Sequence, residues 1–281
     1  MKRAFTKMHG CGNDYIYFNC LSEPMPNPEK VSRALSDRHF GIGGDGIVLI
    51  CPSETADAKM RMFNADGSEG KMCGNAIRCV GKYLYDNKLI CGDWVRIETL
   101  SGVKVLQLFP ENGLVKSARV DMGPAELCPA RIPACFPGER AVDVPLTVEG
   151  REYRVTCVSM GNPHCVVFVQ ETSSLDLNRI GPGFEKHSAF PEQVNTEFVR
   201  VIDSRTLEMR VWERGSGETW ACGTGACAAA VAAVESGFCP KGEPIAVRLR
   251  GGELVIEYTE RTVFMTGSAV QVFEGTVELP F

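Results

Sequence analysis

The chain has 281 residues, 44% of them hydrophobic and 23% charged, the profile of a folded globular protein long enough for one large domain or two of about 140 residues. Disordered, fibrous and low-complexity readings are excluded. The net charge is −5, from 30 Lys and Arg against 35 Asp and Glu with no basic run; it lacks the electrostatic footprint that phosphate backbones or anionic lipid demand, so neither nucleic acid nor a membrane is an expected partner.

In chain order, the first landmark is Gly12-Asn13 followed by the apolar run Tyr15 to Phe18. The glycine-rich Gly41 to Gly46 lacks the Lys-Ser/Thr of a phosphate loop and fits a dinucleotide fingerprint poorly, so it reads as a turn. Strand-like runs follow at Ile47 to Cys51 and Lys59 to Asn64, then the turn Gly67-Ser68-Glu69-Gly70, then Cys73 and a helix over Ala76 to Asn87. Val103 to Phe109 and Ala118 to Asp121 read as strands, and the Pro-rich stretch Pro124 to Pro145 sets a boundary at or just before it. Beyond it the order returns: Gly161-Asn162, a strand at Val166 to Val169, another at Thr206 to Glu213, the turn Gly215-Ser216-Gly217, Cys222, and a helix over Gly225 to Ser236. That second helix is apolar on nearly all sides, as expected of one buried inside a sheet layer. Val270 to Phe273 is a last strand.

This recurrence is a repeat. Asn13 and Cys73 stand sixty residues apart, as do Asn162 and Cys222, and an offset of 149 also pairs Met60 with Met209, Arg61 with Arg210, Phe63 with Trp212 and Asn64 with Glu213. One glycine-rich pair recurs in any α/β protein, whereas two in register point to duplication. The expected architecture is two β-rich units, each enclosing a helix.

Cys73 and Cys222 both fall at a helix start, where backbone N–H groups and the helix dipole favour negative charge, so both thiols are expected to ionise more readily than usual. The N–H groups of the neighbouring glycine turns are placed to hold an anion such as a substrate carboxylate. With the two halves facing one another, the thiols would approach one α-carbon from opposite sides. One thiolate would remove the α-proton while the opposite thiol delivers a proton to the other face, with no metal or organic cofactor. Preorganised backbone dipoles would stabilise the carbanion-like transition state.

A hydrolase-type nucleophile would want a single Cys with a nearby His and an orienting group, but this sequence has two equivalent cysteines and four His. His164, two residues beyond Asn162, is the one His expected near the site; His9, His39 and His187 read as structural. His9 and Cys11 lack further ligands at metal spacing, so no metal is expected. Cys20, Cys51, Cys79, Cys91, Cys128, Cys135, Cys157, Cys227 and Cys239 read as small buried hydrophobes. Met1 to Thr6 carries two cations with no apolar stretch behind it, and the longest apolar run, Ala226 to Val234, is too short to cross a bilayer. The expectation is a cytoplasmic protein whose thirteen cysteines are mostly reduced.

Six segments resemble the diaminopimelate epimerase family: Phe5 to Asn19, Asp37 to Gly46, Phe63 to Cys79, Ser159 to Cys165, Gly181 to Val199 and Glu213 to Ala228. The resemblance covers nearly the whole chain. It implies interconversion of LL-2,6-diaminopimelate and meso-2,6-diaminopimelate, in lysine biosynthesis and towards peptidoglycan, without cofactor. It implies an α/β (α+β) fold of two pseudosymmetric domains, each a β-barrel-like sheet wrapped around a central helix, with residues 1–117 plus 266–281 in one half and 118–265 in the other. Cys73 and Cys222 would be the acid/base thiols, supported by His164 and Glu213. Asn13, Asn64, Gly74, Asn75, Asn162, Asn195, Glu213, Arg214, Gly223 and Thr224 would hold the substrate, and the protein would be a homodimer. Gly46 departs from the pattern, since many members carry Gln there. The same fold also hosts proline and hydroxyproline racemases, a phenazine-type isomerase and noncatalytic relatives. These are the alternatives; a proline racemase would not need the asparagines and Arg214 to grip a second amino-acid end.

Overall fold

The computed structural model describes residues 1–279, and the chain divides into two compact units. One is Met1–Asp121 together with the segment from Thr266 onward, and the other is Met122–Met265. The last two residues of the expected 266–281 segment lie outside the described residues.

The first unit runs β1 (Lys2–Gly10), β2 (Asn13–Asn19), α1 (Pro28–Ser36), β3 (Gly46–Cys51), β4 (Ala58–Asn64), β5 (Glu69–Gly70), α2 (Gly74–Asp86), β6 (Trp94–Thr99), β7 (Gly102–Glu111) and β8 (Leu114–Asp121). The expected change of unit between 117 and 118 falls inside β8, because that strand pairs with β7 as far as Val120. The second unit runs β9 (Val144–Val148), β10 (Arg151–Ser159), β11 (Pro163–Phe168), α3 (Leu177–Glu185), β12 (Asn195–Asp203), β13 (Thr206–Glu213), β14 (Gly217–Thr219), α4 (Gly223–Glu235), β15 (Pro244–Leu249) and β16 (Gly252–Tyr258). After β17 (Val263–Ser268), β18 (Val270–Glu278) returns to pair antiparallel with β1.

The sequence offset of 149 carries the whole architecture. It maps β1 onto β10, α1 onto α3 and α2 onto α4 with both ends coinciding. The pairings match as well. β2–β3 and β11–β12 are parallel, β3–β4 and β12–β13 antiparallel, and β4–β6 and β13–β15 parallel. Strand β9 lies on β10 as β18 lies on β1.

Both predicted helices form, each beginning two residues earlier than the periodicity suggested because Cys73 and Cys222 act as their N-caps. Helix α2 packs against β1, β2, β6, β7 and β8, and α4 against β10, β11, β12, β13, β15 and β16. Each is thus the inner helix of its unit. Helix α4 is buried without interruption from Gly225 to Ala233; its Ala, Cys and small Val side chains let strands approach on every side. It ends where Gly237 takes φ +78 and Phe238 N–H reaches back to the Ala233 carbonyl at 2.8 Å, a left-handed C-cap. Helix α2 ends the same way at Lys88, with φ 58.

Helices α1 and α3 escape the periodicity reading. They are nine residues each, mixed in polarity, and α3 contains Pro182. Their signals were local: Pro at the first turn of α1, and Asp176 capping α3 by accepting from Arg179 N–H at 3.3 Å. They cover the opposite sheet face. Ile16, Phe18, Ile47 and Leu49 share a core with Val31 and Leu35 of α1, while Tyr17 turns the other way and donates its hydroxyl to Ala76 O in α2 at 3.3 Å. A strand covered on both faces is apolar at every position, which explains the unbroken run Tyr15 to Phe18. In the second unit Phe184 of α3 meets Phe198 of β12 edge-on, centroids 5.4 Å apart.

Among the described residues no disulfide joins any of the cysteines, and no helix is long and apolar enough to cross a membrane. Of the nine cysteines expected as buried hydrophobes, Cys20, Cys79, Cys157, Cys227 and Cys239 are buried. Cys51 and Cys128 are half-buried, and Cys91 and Cys135 are exposed, because the last two sit in turn segments rather than on a packed element.

Candidate active site

In the first unit the site grows from the β1–β2 turn and the start of α2. Cys73 is half-buried, and its thiol donates to Asn13 Oδ1 at 3.3 Å. The other end of that amide is fixed, since Asn13 Nδ2 donates to Asp45 Oδ2 at 2.7 Å. Asp45 also accepts from Asp14 N–H at 3.1 Å and pairs with Arg38 at 2.9 Å. Burial and the neighbouring Asp14 push the Asp45 carboxyl up, against the pull of its hydrogen bonds to Asp14 N–H and Asn13 and of Arg38. The Gly41 to Gly46 segment is therefore more than a turn: it carries the acid that orients Asn13. Its start is anchored on α1, with Ile42 and Gly43 N–H both on Leu35 O.

Asn64 borders the same place from β4, opposite Gly46, with Ala65 N–H on the Asp45 carbonyl at 3.0 Å. Its Nδ2 donates to Ser68 Oγ at 3.0 Å. Gly74 opens α2. Asn75 is buried, and its Oδ1 accepts from Arg78, itself wholly buried, at 3.0 Å. The side chain of Asn75 is thus committed inward. A Cβ on Gly46, at φ +157, would lie 2.0 Å from Phe63 O and 2.9 Å from Tyr15 Cε1, so here the backbone itself demands glycine.

In the second unit a continuous chain of contacts leads to Cys222. His164, fully buried, meets Glu197 Oε1 through Nδ1 at 2.7 Å and Asn162 Oδ1 through Nε2 at 3.1 Å. Asn162 Nδ2 donates to Thr224 Oγ1 at 3.4 Å, and that hydroxyl lies 3.5 Å from Cys222 Sγ. The sulfur accepts from Gly225 N–H at 3.3 Å, and Gly223 lies between it and Thr224. Asn195 braces the rim by donating to Pro163 O and accepting from Arg214 N–H, both at 3.0 Å; one hydrogen and one lone pair of that amide remain. Arg214 is exposed, and its Nη1 donates to Glu192 O at 2.7 Å. Glu213 accepts from the Thr219 hydroxyl. Burial pushes the Glu213 carboxyl up, against the pull of Thr219, His164 and Cys222.

The expected low thiol pKa is not what Cys222 shows. Burial, then the Glu213 and Glu197 carboxylates, push it well above the usual thiol range, and the Thr224 and Gly225 contacts only oppose this. A helix N-terminus contributes partial charge, whereas desolvation beside two acids acts on the whole thiolate charge. Of the glycine turns expected to hold an anion, Gly67 and Gly215 adopt φ +83 and +76 in the β4–β5 and β13–β14 hairpins; Gly67 N–H bonds the Asn64 carbonyl at 2.8 Å, whereas Gly215 N–H donates to the Glu185 carboxylate at 2.9 Å. The first-turn amides of α2 and α4 are what lie next to the thiols.

His9 Nδ1 accepts from Gly12 N–H at 3.3 Å, His187 bridges Thr147 O and Ala189 N–H, and His39 is exposed. Two residues absent from the sequence-based set belong to these clusters, Asp45 and Glu197. No apolar run marks Glu197, which stands among Asn195, Thr196 and Arg200 in the sequence; only its burial in β12 shows that it is an acid needing a partner.

The profile of one protein family, diaminopimelate epimerase, matches residues 5–128 and 156–272. The chain is 55% identical over 277 residues to a diaminopimelate epimerase of Acetivibrio thermocellus, covering 98% of each chain. It is 51% identical over 277 residues to one of Methanococcus maripaludis, covering 98% of this chain and 99% of the relative. Among solved structures, a probable proline racemase from Agrobacterium radiobacter K84 superposes with a TM-score of 0.74 at 14% identity, covering 99% of this chain and 93% of the other. A Bacillus anthracis phenazine biosynthesis protein of the PhzF family gives 0.72 at 16%, covering 99% of both. At such identities the structures establish the shared fold alone, that of a mixed α+β, sheet-dominated protein with few helices. The sequence matches go further: this chain belongs to the diaminopimelate epimerase family, a family of isomerases.

Proposed function

We propose that the protein is a cofactor-independent epimerase that interconverts LL-2,6-diaminopimelate and meso-2,6-diaminopimelate with Cys73 and Cys222 as its two acid/base groups. The observation that carries this reading is the duplicated constellation: in each unit a cysteine stands at the N-cap of the inner helix, and the asparagine of a Gly-Asn turn sixty residues earlier reaches it, directly at Cys73 and by way of Thr224 at Cys222. The two units serve as the two halves of the enzyme. One thiolate takes the α-proton, giving a carbanion-like species stabilised by backbone dipoles, and the opposite thiol donates to the other face. The proton count is conserved, and the roles exchange in reverse. Because burial and two carboxylates favour the neutral form of Cys222, that residue rests as the proton donor, and a bound ammonium group would offset the carboxylates when it must act as base.

Asn13, Asn64, Gly74, Asn75, Asn162, Asn195, Glu213, Arg214, Gly223 and Thr224 hold the substrate in this proposal, Asn75 through its backbone because its side chain is bonded to Arg78. Glu213 and His164 support Cys222. The place of action is the cytoplasm, in lysine biosynthesis, consistent with free thiols, and the assembly is a homodimer.

The proline-racemase and phenazine-type alternatives are likenesses of fold at 14 to 16% identity, against 50 to 55% for the epimerases. The test is turnover of LL-diaminopimelate against proline with no cofactor added, following deuterium uptake at the α-carbon in heavy water. Exchange and inversion of diaminopimelate alone is expected; turnover of proline alone would replace this reading with the racemase one.

A further inference from the structure

We propose that Glu197 is a positioning residue for the Cys222 side of the site, holding a proton on Nδ1 of His164 so that Nε2 faces Asn162 and, through that amide, the thiol. This inference rests on the epimerase reading for its activity arm. The repeat supplies the strongest argument. At the offset of 149, His164 and Glu197 correspond to Tyr15 and Val48 of the first unit, and the parallel register is the same, with His164 opposite Asn195 and Tyr15 opposite Gly46. Val48 is fully buried, as Glu197 is. The architecture therefore closes with a plain hydrocarbon at this place, and the second unit alone puts an acid there.

The helix above has adjusted to it. A Cβ on Gly225 would stand 2.6 Å from Glu197 Oε1, and the residue equivalent to Gly225 in the first unit is Ala76. Glycine at the first turn of α4 thus makes room for a carboxylate beneath a helix N-terminus, where the dipole favours its charge.

Stability does not account for the acid. The pair is wholly buried, and Glu197 Oε2 has no hydrogen-bond partner. A half-satisfied buried carboxylate opposes folding, and a hydrocarbon of similar shape in its place is often neutral or stabilising. What the carboxylate does supply is a fixed acceptor for one ring nitrogen, which decides the tautomer of a histidine. With Nδ1–H held by Glu197, Nε2 faces the Asn162 oxygen, to which it donates when it too carries a proton, and the Asn162 nitrogen is turned to Thr224 beside Cys222. The ionisable groups around this ring are Glu197 from β12 and Glu213 from β13; the Cys222 thiol at the head of α4 lies near those two carboxylates, and Cys165 near Glu197.

The test compares wild type with Glu197→Gln and Glu197→Leu. In the substrate-free protein, 15N spectra of the His164 ring are expected to show Nδ1 protonated throughout in wild type, and the Nδ1–H signal displaced in Glu197→Leu. In both variants thermal stability is expected to hold or rise while kcat falls by about 10- to 100-fold, with KM changed less than about twofold. Should Glu197→Leu fail to fold, Glu197→Gln and the wild-type spectrum still decide. A wild-type His164 protonated on Nε2 alone, or variants whose kcat matches wild type, would overturn the proposal. Absence of diaminopimelate turnover in wild type would instead defeat the epimerase reading and leave the ring spectra to judge Glu197.

Discussion

The Cys73 thiol donates to the side-chain oxygen of Asn13 at 3.3 Å across sixty residues of chain, and the other end of the same amide is pinned by Asp45 at 2.7 Å. An amide free to flip would present nitrogen rather than oxygen to the sulfur half the time, so the orientation of Asn13 is set by an acid that touches neither thiol nor helix.

Asp45→Ala is therefore expected to lower kcat by about 10- to 100-fold, the order of effect that misplacing a reacting group produces. The steady-state rate with LL-diaminopimelate checks this. A wild-type rate would show that Asn13 keeps its orientation without Asp45.

Cys73→Ala and Cys222→Ala are each expected to abolish epimerisation, because a two-sided proton exchange loses one of its sides. Cys→Ser at either place should also cost several orders of magnitude, since a hydroxyl is a far weaker acid than a thiol with its usual pKa of about 8.5. Inversion measured on a chiral column is the readout, and either alanine variant at wild-type rate refutes the two-thiol scheme.

The raised position of the Cys222 thiol makes a chemical prediction. The thiolate is the reactive form, so iodoacetamide at pH 7.5 is expected to label exposed Cys91 and Cys135 well before Cys222, with labelling of Cys222 rising as the pH is raised. Peptide mass spectrometry over time gives the order. Preferential modification of Cys222 at neutral pH would mean that its ionised form is stabilised after all. The same resistance is expected to slow its air oxidation in the substrate-free protein.

Gly46→Gln is expected to destabilise the protein by about 2 kcal/mol or more rather than to improve substrate affinity. The Cβ would meet the Phe63 carbonyl at 2.0 Å, and a carbonyl on a paired strand has little room to move. Urea unfolding measures it; unchanged stability would show that β3 shifts cheaply.

Much of this protein was written in its sequence because duplication writes the same pattern twice. The Asn-to-Cys spacing, the offset of 149 and the apolar runs name both cysteines, both inner helices and a minority of the strands, since local propensity and repeat register are properties of the chain itself. Helices α1 and α3 were legible only through the offset and their caps, as nine mixed residues carry too weak a period. What tertiary structure alone decided is which polar groups become neighbours. Asp45 reads as a turn residue and Glu197 carries no reading of its own until folding places them on Asn13 and His164. The charge state of Cys222 likewise follows from burial beside Glu213 and Glu197 rather than from its address at a helix start. Pairings of this kind depend on distances between residues remote in sequence and on the water excluded around them, and neither quantity has a local signature.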